Sequence, residues 1–122
     1  MNIYGSILSP YVARCVLAAR FKGVKHTLSM LKDGSKSPAY LKINPLGKVP
    51  AMKDGKLVLF ESTVIVEYLN AKSKTNPLVP TNAKAAAKVR QIAAIFSEYV
   101  QPPIIAILRQ RDPATTRSWT QS

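Results

Sequence analysis

Residues 44–52, NPLGKVPAM, place a proline at the start of a β-strand pattern. Pro50 has no N–H group to give to a sheet, so proline is expected at a strand's first position, at a sheet edge or at a bulge. From the residues alone, Pro50 is most simply the first or an edge residue of a strand, because only about 5–6% of X-Pro bonds are cis. Together with the preceding Gly47 and Lys48, it indicates an irregular backbone with a functional purpose.

The segments on either side of this stretch alternate between helix and strand patterns. After it, KVPAMKDGKLVLFES is typical of a β-hairpin with an Asp54-Gly55 turn, and STVIVEYLNAK predicts a helix capped by Ser62. Before it, NIYG predicts a strand, SPYVARCVLAARFKG a helix opened by Ser9 and Pro10, KHTLSML a strand, and SPAYLKI one or two helical turns. The side chains predicted to face the core from the two longer helices are Val12, Val16, Ala19, Phe21, Val64, Ile65, Tyr68 and Leu69.

The predicted order of elements is therefore β-α-β-α-β-β-α over residues 1–73. A helix connects the first two strands, which implies that they are parallel, whereas the hairpin adds an antiparallel pair. This pattern predicts an α/β thioredoxin-like N-terminal domain with a mixed sheet and helices on its faces.

A second segment follows a predicted linker at residues 74–82, which contains two prolines and no periodicity. AKAAAKVRQIAAIFSEYV predicts a strong helix, and Pro102-Pro103 are expected to end or kink it. Residues 83–122 then read as the beginning of an all-α domain, incomplete and closed by a polar tail. The apolar stripe of this helix, which needs a packing partner, consists of Val89, Ile92, Ala93, Phe96 and Val100.

Charge is the unusual feature of the composition. The 122 residues carry a formal net charge of +12, from 18 Lys and Arg against 6 Asp and Glu. Such a balance favours anionic partners, but the basic residues are scattered, as on an ordinary solvated surface. No uncharged apolar run approaches the roughly 20 residues of a membrane span. A single cysteine and the lack of a basic leader before an apolar core predict a cytoplasmic location without a signal peptide.

Three motifs in a fixed order carry a family resemblance: SPYVAR at residues 9–14, NPLGKVP at residues 44–50 and FES at residues 60–62. In this order and spacing they resemble the N-terminal domain of cytosolic glutathione transferases. SPYVAR looks most like the serine-type, tau-like classes, whereas GSKSPAYLKINPLGKVP looks closer to the phi-like pattern. The linker and the Ala-rich helix resemble the start of the family's all-helical second domain, most of which is missing from the sequence.

The resemblance implies roles for Val49 and Pro50, and for Ser9 at the start of the first helix. The family proline that matches Pro50 is cis, and it exposes the backbone of the preceding residue, here Val49, so that an extended tripeptide pairs with it like an added strand. Ser9 matches the serine whose hydroxyl stabilises the glutathione thiolate at a helix N-terminus. A plain N-cap is the alternative for Ser9, and one hydroxyl can serve both purposes. The weaker candidates for the thiol contact are Ser6, Tyr4 and Tyr11.

The two ends of the tripeptide have their own candidate residues. The resemblance implies that Ser62 takes the γ-glutamyl carboxylate and that Glu61 holds the ammonium. From the residues alone, a helix cap explains Ser62 as well as ligand binding does. For Glu61, the alternative is a side chain that is simply solvated. Lys36 and Lys48 are candidates for binding the glycyl carboxylate. The alternative is that both are ordinary surface lysines. Many phi-like members carry His-Lys where this chain has Ser35-Lys36, so one contact of that pattern is missing.

The cysteine and the histidine of the sequence indicate neither a catalytic cysteine nor a metal site. Cys15 lies too deep in the first helix to match the family's catalytic cysteines, and we expect it to be a buried helix residue. The sequence has no C-x-x-C motif, and His26 is not clustered with other ligands, so no metal site is predicted.

The implied reaction is attack of the glutathione thiolate on an electrophilic carbon, with glutathione as co-substrate and no metal. The expected partners are glutathione, electrophilic small molecules and, as a possibility that stays open, a second copy of the chain; we expect neither a membrane nor nucleic acid. Three alternatives remain open: a non-catalytic interaction module of the translation or synthetase type, a truncated inactive isoform, and a glutathione-dependent isomerase or reductase.

Overall fold

The computed structural model describes residues 1–110, and the predicted polar tail lies outside them. The chain divides into two compact units, Met1–Leu78 and Val79–Ser122. The first unit has the predicted order of elements, namely β1 (Asn2–Tyr4), α1 (Pro10–Phe21), β2 (Thr27–Ser29), α2 (Pro38–Leu41), β3 (Ala51–Asp54), β4 (Leu57–Phe60) and α3 (Ser62–Lys72). The thioredoxin-like prediction for this unit is therefore confirmed.

The four strands form one mixed sheet in the order β2-β1-β3-β4. β1 and β2 are parallel, as the helical connection predicts, and the other two pairs are antiparallel. In the register of the sheet, Tyr4 lies opposite Ala51, and Ala51 lies opposite Phe60. β1 and β4 therefore end, and β3 begins, at the same end of the sheet, which we call the Tyr4 end.

The helices cover the sheet with side chains spaced as one helical face requires. Val12, Val16 and Ala19 of α1 are buried, and Ile65 and Leu69 of α3 are buried in the same cluster. These spacings of three and four residues place the side chains on one side of each helix.

Two predicted core residues are exposed. Phe21 is 57% exposed, because it comes two residues after Ala19 and so points about 200° away from it on the helix. Val64 is 46% exposed, because the buried stripe of α3 starts one residue later, at Ile65. Their assignment to the core was wrong.

The start of α3 also differs from the prediction. Ser62 is the first residue of the helix, and the N-cap is Glu61, whose φ of 74° lies in the left-handed region. The Glu61 carbonyl accepts the hydrogen bond from the Ile65 N–H at 3.0 Å, so the helix begins one residue earlier than a Ser62 cap would allow. The prediction that Ser62 caps the helix was wrong.

The second unit is described through Gln110 and is helical. It contains α4 (Ala83–Ile95), a π-helical segment (Phe96–Val100) and α5 (Gln101–Gln110). Pro102 and Pro103 lie in the first turn of α5, where their missing N–H groups are tolerated, so they do not end the helical run as expected. The exposed large apolar side chains of this unit are Val89, Ile92, Ile95, Phe96, Tyr99, Val100, Ile104, Ile107 and Leu108.

Residues 83–110 form the one described helical stretch that is long and apolar enough to cross a membrane, because an 18-residue window within it has a mean hydropathy of 1.3. Glu98 interrupts it, so it contains no uncharged run of that length. Length and composition of this kind are shared by helices of soluble proteins, and by themselves they assign no membrane role.

A charged cluster ties the hairpin to α3. Both the Tyr68 hydroxyl and the Lys72 ammonium donate to the Asp54 carboxylate beside the hairpin turn. The hydrogen bond from Lys72, followed by that from Tyr68, lowers the pKa of Asp54, and the hydrogen bond to Asp54 raises the pKa of Lys72.

We predict that this cluster stabilises the fold in a pH window set by both groups. Because the pKa of Asp54 is lowered on folding, its contribution is present above about pH 4 and is lost as the pH falls through the folded value. Because the pKa of Lys72 is raised, its contribution is present below about pH 10.4 and is lost as the pH rises through the folded value. Thermal melts of wild type and Asp54→Asn should therefore differ at pH 7 and converge in acid. A constant difference in melting temperature down to acid pH would contradict this role.

Candidate functional site

The register of the sheet brings predicted site residues from three segments of the chain to the Tyr4 end. β1 leads at this end into the loop that carries Ser9, Val49 comes two residues before β3, and Glu61 and Ser62 directly follow β4. The helices α1 and α3 both begin here, so the positive ends of two helix dipoles lie at one end of the sheet. Such helix N-termini favour anionic groups.

Ser9 is the N-cap of α1, as predicted. Its hydroxyl oxygen accepts a hydrogen bond from the Val12 N–H at 3.4 Å. A serine hydroxyl also carries a proton of its own, so this contact leaves its donor available for a second partner. Ser9 is partly exposed.

The weaker candidates for the thiol contact have different surroundings. The Ser6 hydroxyl accepts from the Leu8 N–H at 3.2 Å in the loop, before the helix begins. The Tyr4 ring lies 6.4 Å from the Tyr40 ring, centroid to centroid, and the guanidinium of Arg14 lies 5.5 Å above the Tyr11 ring. Among the candidate hydroxyls, Ser9 alone sits at the N-cap of a helix of 12 residues.

The Val49-Pro50 peptide bond is cis, as the resemblance implied. Pro50 is buried and lies one residue before β3, which begins at Ala51, so it is not the first or an edge residue of the strand that the residues alone predicted. Within residues 1–110, no hydrogen bond pairs the N–H or the carbonyl of Val49. The backbone polar groups of Val49, two residues before β3, are therefore without a partner in the described part of the chain.

The N-terminus of α3 is open. Glu61 makes no side-chain cap, so the first N–H groups of the helix have no side-chain partner there. Ser62 is 7% exposed, and its carbonyl accepts a weak hydrogen bond from the Cys15 thiol at 3.7 Å. A non-glycine residue in a left-handed conformation costs about 1–3 kcal/mol, and such residues cluster at functional sites. The exposed Glu61 is such a residue.

The two predicted lysines differ in their engagement. The Lys36 ammonium donates to the Leu46 carbonyl at 3.3 Å. Lys48 has an exposed side chain, but its carbonyl is held by the Tyr40 hydroxyl at 2.6 Å and by the Asn44 side-chain amide at 2.8 Å. Burial raises the pKa of Tyr40, so its hydroxyl remains a donor at neutral pH.

Sequence reasoning missed three residues that shape this end of the sheet. Tyr40 and Asn44 hold the Lys48 carbonyl, and the Asn-Pro dipeptide was the one available signal of a side chain that orders a turn. Gly5 has a φ of 134°, and a Cβ added there would lie 2.6 Å from Cγ2 of Val12 and 3.1 Å from Cβ of Val49. Glycine at this position lets α1 and the Val49 backbone approach each other.

Cys15 and His26 lie outside this arrangement. Cys15 is fully buried, as predicted, and burial raises its pKa to about 12, so the thiol is not a nucleophile at neutral pH. One ring nitrogen of His26 is 2.9 Å from the Val24 carbonyl. Within the described part of the chain, no group of three or more His, Cys, Asp and Glu side chains is placed to hold a metal ion.

These features define a thioredoxin-like domain with a cis-proline and two helix N-termini at one end of its sheet. Residues 8–72 match the family described as glutathione S-transferase, N-terminal domain. The chain belongs to the glutathione S-transferase family.

Individual relatives agree with this assignment. The chain is 35% identical over 111 residues to glutathione S-transferase 4 of Zea mays, covering 88% of this chain and 50% of that protein. The crystal structure of glutathione transferase F7 from Populus trichocarpa matches 96% of this chain and 58% of that one, with 30% identity and a TM-score of 0.82. A bacterial Zeta-class maleyl pyruvate isomerase matches 98% of this chain and 61% of that one, with 29% identity and a TM-score of 0.81. The chain spans about half the length of the curated relatives it matches.

Proposed function

We propose that this chain binds glutathione at the Tyr4 end of the sheet and activates its thiol for attack on electrophilic carbon. The observation that carries the proposal is the unpaired Val49 backbone between two helix N-termini. A peptide with a carboxylate at each end and a thiol between them fits this arrangement chemically. The relatives are named as glutathione transferases, which supports the same ligand.

The proposed binding mode uses each part of the site for one part of the tripeptide. The γ-glutamyl carboxylate lies at the open N-terminus of α3, beside Ser62, and its ammonium pairs with Glu61. The cysteinyl backbone pairs with Val49 as an added strand. The glycyl carboxylate lies near the ammonium groups of Lys48 and Lys36, the second of which would have to give up or share its contact with the Leu46 carbonyl.

The proposed chemistry is stabilisation of a thiolate. A free thiol has a pKa of about 8.5, so most of it is protonated at neutral pH. A hydrogen bond donated by the Ser9 hydroxyl, together with the positive end of α1, favours the anion and lowers that pKa. The thiol proton passes to solvent, and the thiolate sulfur donates its electron pair to form the new carbon–sulfur bond. The bond from that carbon to the leaving group breaks, and the leaving group departs with its electron pair, as chloride does from chlorodinitrobenzene.

We predict that Ser9→Ala changes the pKa of bound glutathione more than its affinity. The tripeptide keeps its backbone and carboxylate contacts, while the thiolate loses one donor, so its pKa should rise toward about 8.5. The ultraviolet absorbance of the thiolate, followed against pH, measures this. Ser6→Ala is the matched control and should leave the titration unchanged. If the curves of wild type and Ser9→Ala overlay, Ser9 is only a helix cap.

We predict that these 122 residues conjugate electrophiles poorly even though they bind glutathione. Positioning of a second substrate supplies about 7–11 kcal/mol of barrier reduction. These 122 residues span only about half the length of the relatives that are named as transferases, so we expect much of that positioning to be lacking. Self-association is the related proposal, supported by the exposed apolar side chains of α4 and α5. A chlorodinitrobenzene assay beside size-exclusion chromatography tests both. Robust turnover by a monomer would contradict them.

Retention on glutathione-agarose tests the proposed function against the alternative of a non-catalytic module. The net charge of +12 allows nonspecific retention at low salt, so the column is run at low and high salt and eluted with free glutathione. Retention at both, with elution by glutathione, supports the proposal. Passage through the column at high salt overturns it.

A further inference from the structure

The loop before β3 is held by two hydrogen bonds to one carbonyl, that of Lys48. The Lys48 carbonyl accepts the Tyr40 hydroxyl at 2.6 Å and the Asn44 side-chain amide at 2.8 Å. Tyr40 is 3% exposed and Asn44 is 2% exposed, so both donors are fixed in the interior. A carbonyl oxygen has two lone pairs, and here each has its own donor. We call Tyr40 and Asn44 the Lys48 clamp.

Asn44 is also tied to the turn that it begins. Its side-chain oxygen accepts from the Leu46 N–H at 3.0 Å, and its carbonyl accepts from the Gly47 N–H at 2.9 Å. Its side-chain amide also donates to the Lys48 carbonyl, so three hydrogen bonds of the buried Asn44 define the path of the chain from Asn44 to Lys48. The position of this carbonyl is therefore set by the protein, not by a ligand.

The clamp has a consequence for the next N–H group. The Lys48 carbonyl and the Val49 N–H belong to one planar peptide group, and in a trans peptide they point in opposite directions. Holding the carbonyl toward the buried Tyr40 and Asn44 turns the Val49 N–H away from them. This N–H has no hydrogen-bond partner within residues 1–110, and the proposed function pairs it with the ligand. The same two hydrogen bonds also restrict the position of the Lys48 Cα, from which the Lys48 side chain extends.

We propose that Tyr40 and Asn44 are positioning residues for the cysteinyl-glycine half of the bound tripeptide. They act through the Lys48 carbonyl, which sets the direction of the Val49 N–H and the origin of the Lys48 side chain. The γ-glutamyl half, at the N-terminus of α3, does not depend on the clamp. The inference rests on the proposed function, and it predicts selectivity: the clamp supports the preference for glutathione over γ-glutamylcysteine, which lacks the glycyl carboxylate.

The test compares the dissociation constants of these two ligands by calorimetry. Tyr40→Phe removes one hydroxyl and should weaken glutathione binding about three- to tenfold, the typical worth of a hydrogen bond. Binding of γ-glutamylcysteine should weaken less, so that the preference for glutathione shrinks. General loosening of the fold would weaken both ligands by the same factor. Tyr68→Phe is the matched control, because it removes a hydroxyl that bonds Asp54 at the opposite end of β3, and it should keep the preference.

A second variant protects the test against a folding defect in the first. Asn44→Asp retains the acceptor for the Leu46 N–H but loses the donor to Lys48, and it should also shrink the preference. If wild type binds glutathione and the folded clamp variants keep the wild-type preference, this inference fails while the proposed function stands. Equal binding of the two ligands by wild type also overturns it. If wild type binds neither ligand, the proposed function itself fails.

Discussion

Gly5→Ala is expected to lower the free energy of unfolding by about 2–6 kcal/mol, the sum of a backbone and a packing cost. The residue has a φ of 134°, a conformation that side chains rarely adopt. The new methyl group would also lie 2.6 Å from Cγ2 of Val12, which is fully buried and has no room to move. At about 4–8 °C per kcal/mol for a domain of this size, the melting temperature should fall by about 8 °C or more.

Gly55→Ala is the matched control for the backbone part of this cost. Gly55 also has a positive φ, 60°, but a Cβ there meets no atom within 4 Å. Its alanine variant should therefore lose only about 1–2 kcal/mol. The excess in Gly5→Ala measures the steric contact with Val12 and Val49 together with the greater backbone strain at a φ of 134°. Equal losses in the two variants, measured by denaturant unfolding, would show that the close approach at Gly5 costs nothing.

Glu61→Gly is expected to weaken glutathione binding about 10- to 150-fold, corresponding to the about 1.5–3 kcal/mol of a charged hydrogen bond. The substitution removes the carboxylate proposed to hold the ligand's ammonium. It also places glycine at a φ of 74°, which glycine adopts without strain. The relief of strain and the greater freedom of the unfolded chain oppose each other, so stability should change by no more than about 1 kcal/mol.

Two further variants separate charge from backbone at this position. Glu61→Gln keeps the shape and the strain and should lose most of the same affinity. Glu61→Ala keeps the strain and loses both charge and shape. If all three variants bind glutathione as wild type does, Glu61 is a solvated carboxylate and the γ-glutamyl end lies elsewhere.

Local chemistry made much of the fold predictable from sequence. The Ser9-Pro10 and Ser37-Pro38 pairs mark helix starts because proline suits the first helical position, and Asp54-Gly55 marks the hairpin turn. The start of α3 was misplaced because glutamate disfavours a positive φ, so nothing in its residue type announces Glu61 as the N-cap. Phe21 and Val64 were misassigned because a short helix with apolar residues on several sides does not indicate which side is covered.

Part of the candidate site could also be proposed from sequence, and part could not. Ser9, Pro50, Glu61 and Ser62 could be proposed because each lies in a motif or at a predicted junction of elements. The Lys48 clamp could not, because Tyr40 and Asn44 show their role only once α2 and the following loop fold against each other. The space that requires glycine at position 5 likewise depends on where Val12 and Val49 meet in three dimensions.

An amide NMR titration of the isotope-labelled chain with glutathione locates the ligand on the protein. Binding at the Tyr4 end predicts saturable shifts at Val49, at Ser62 and in the first turn of α1, with Gly55, at the far end of β3, unaffected. Saturable shifts that cluster away from the Tyr4 end, or the absence of saturable shifts at millimolar glutathione, would contradict it.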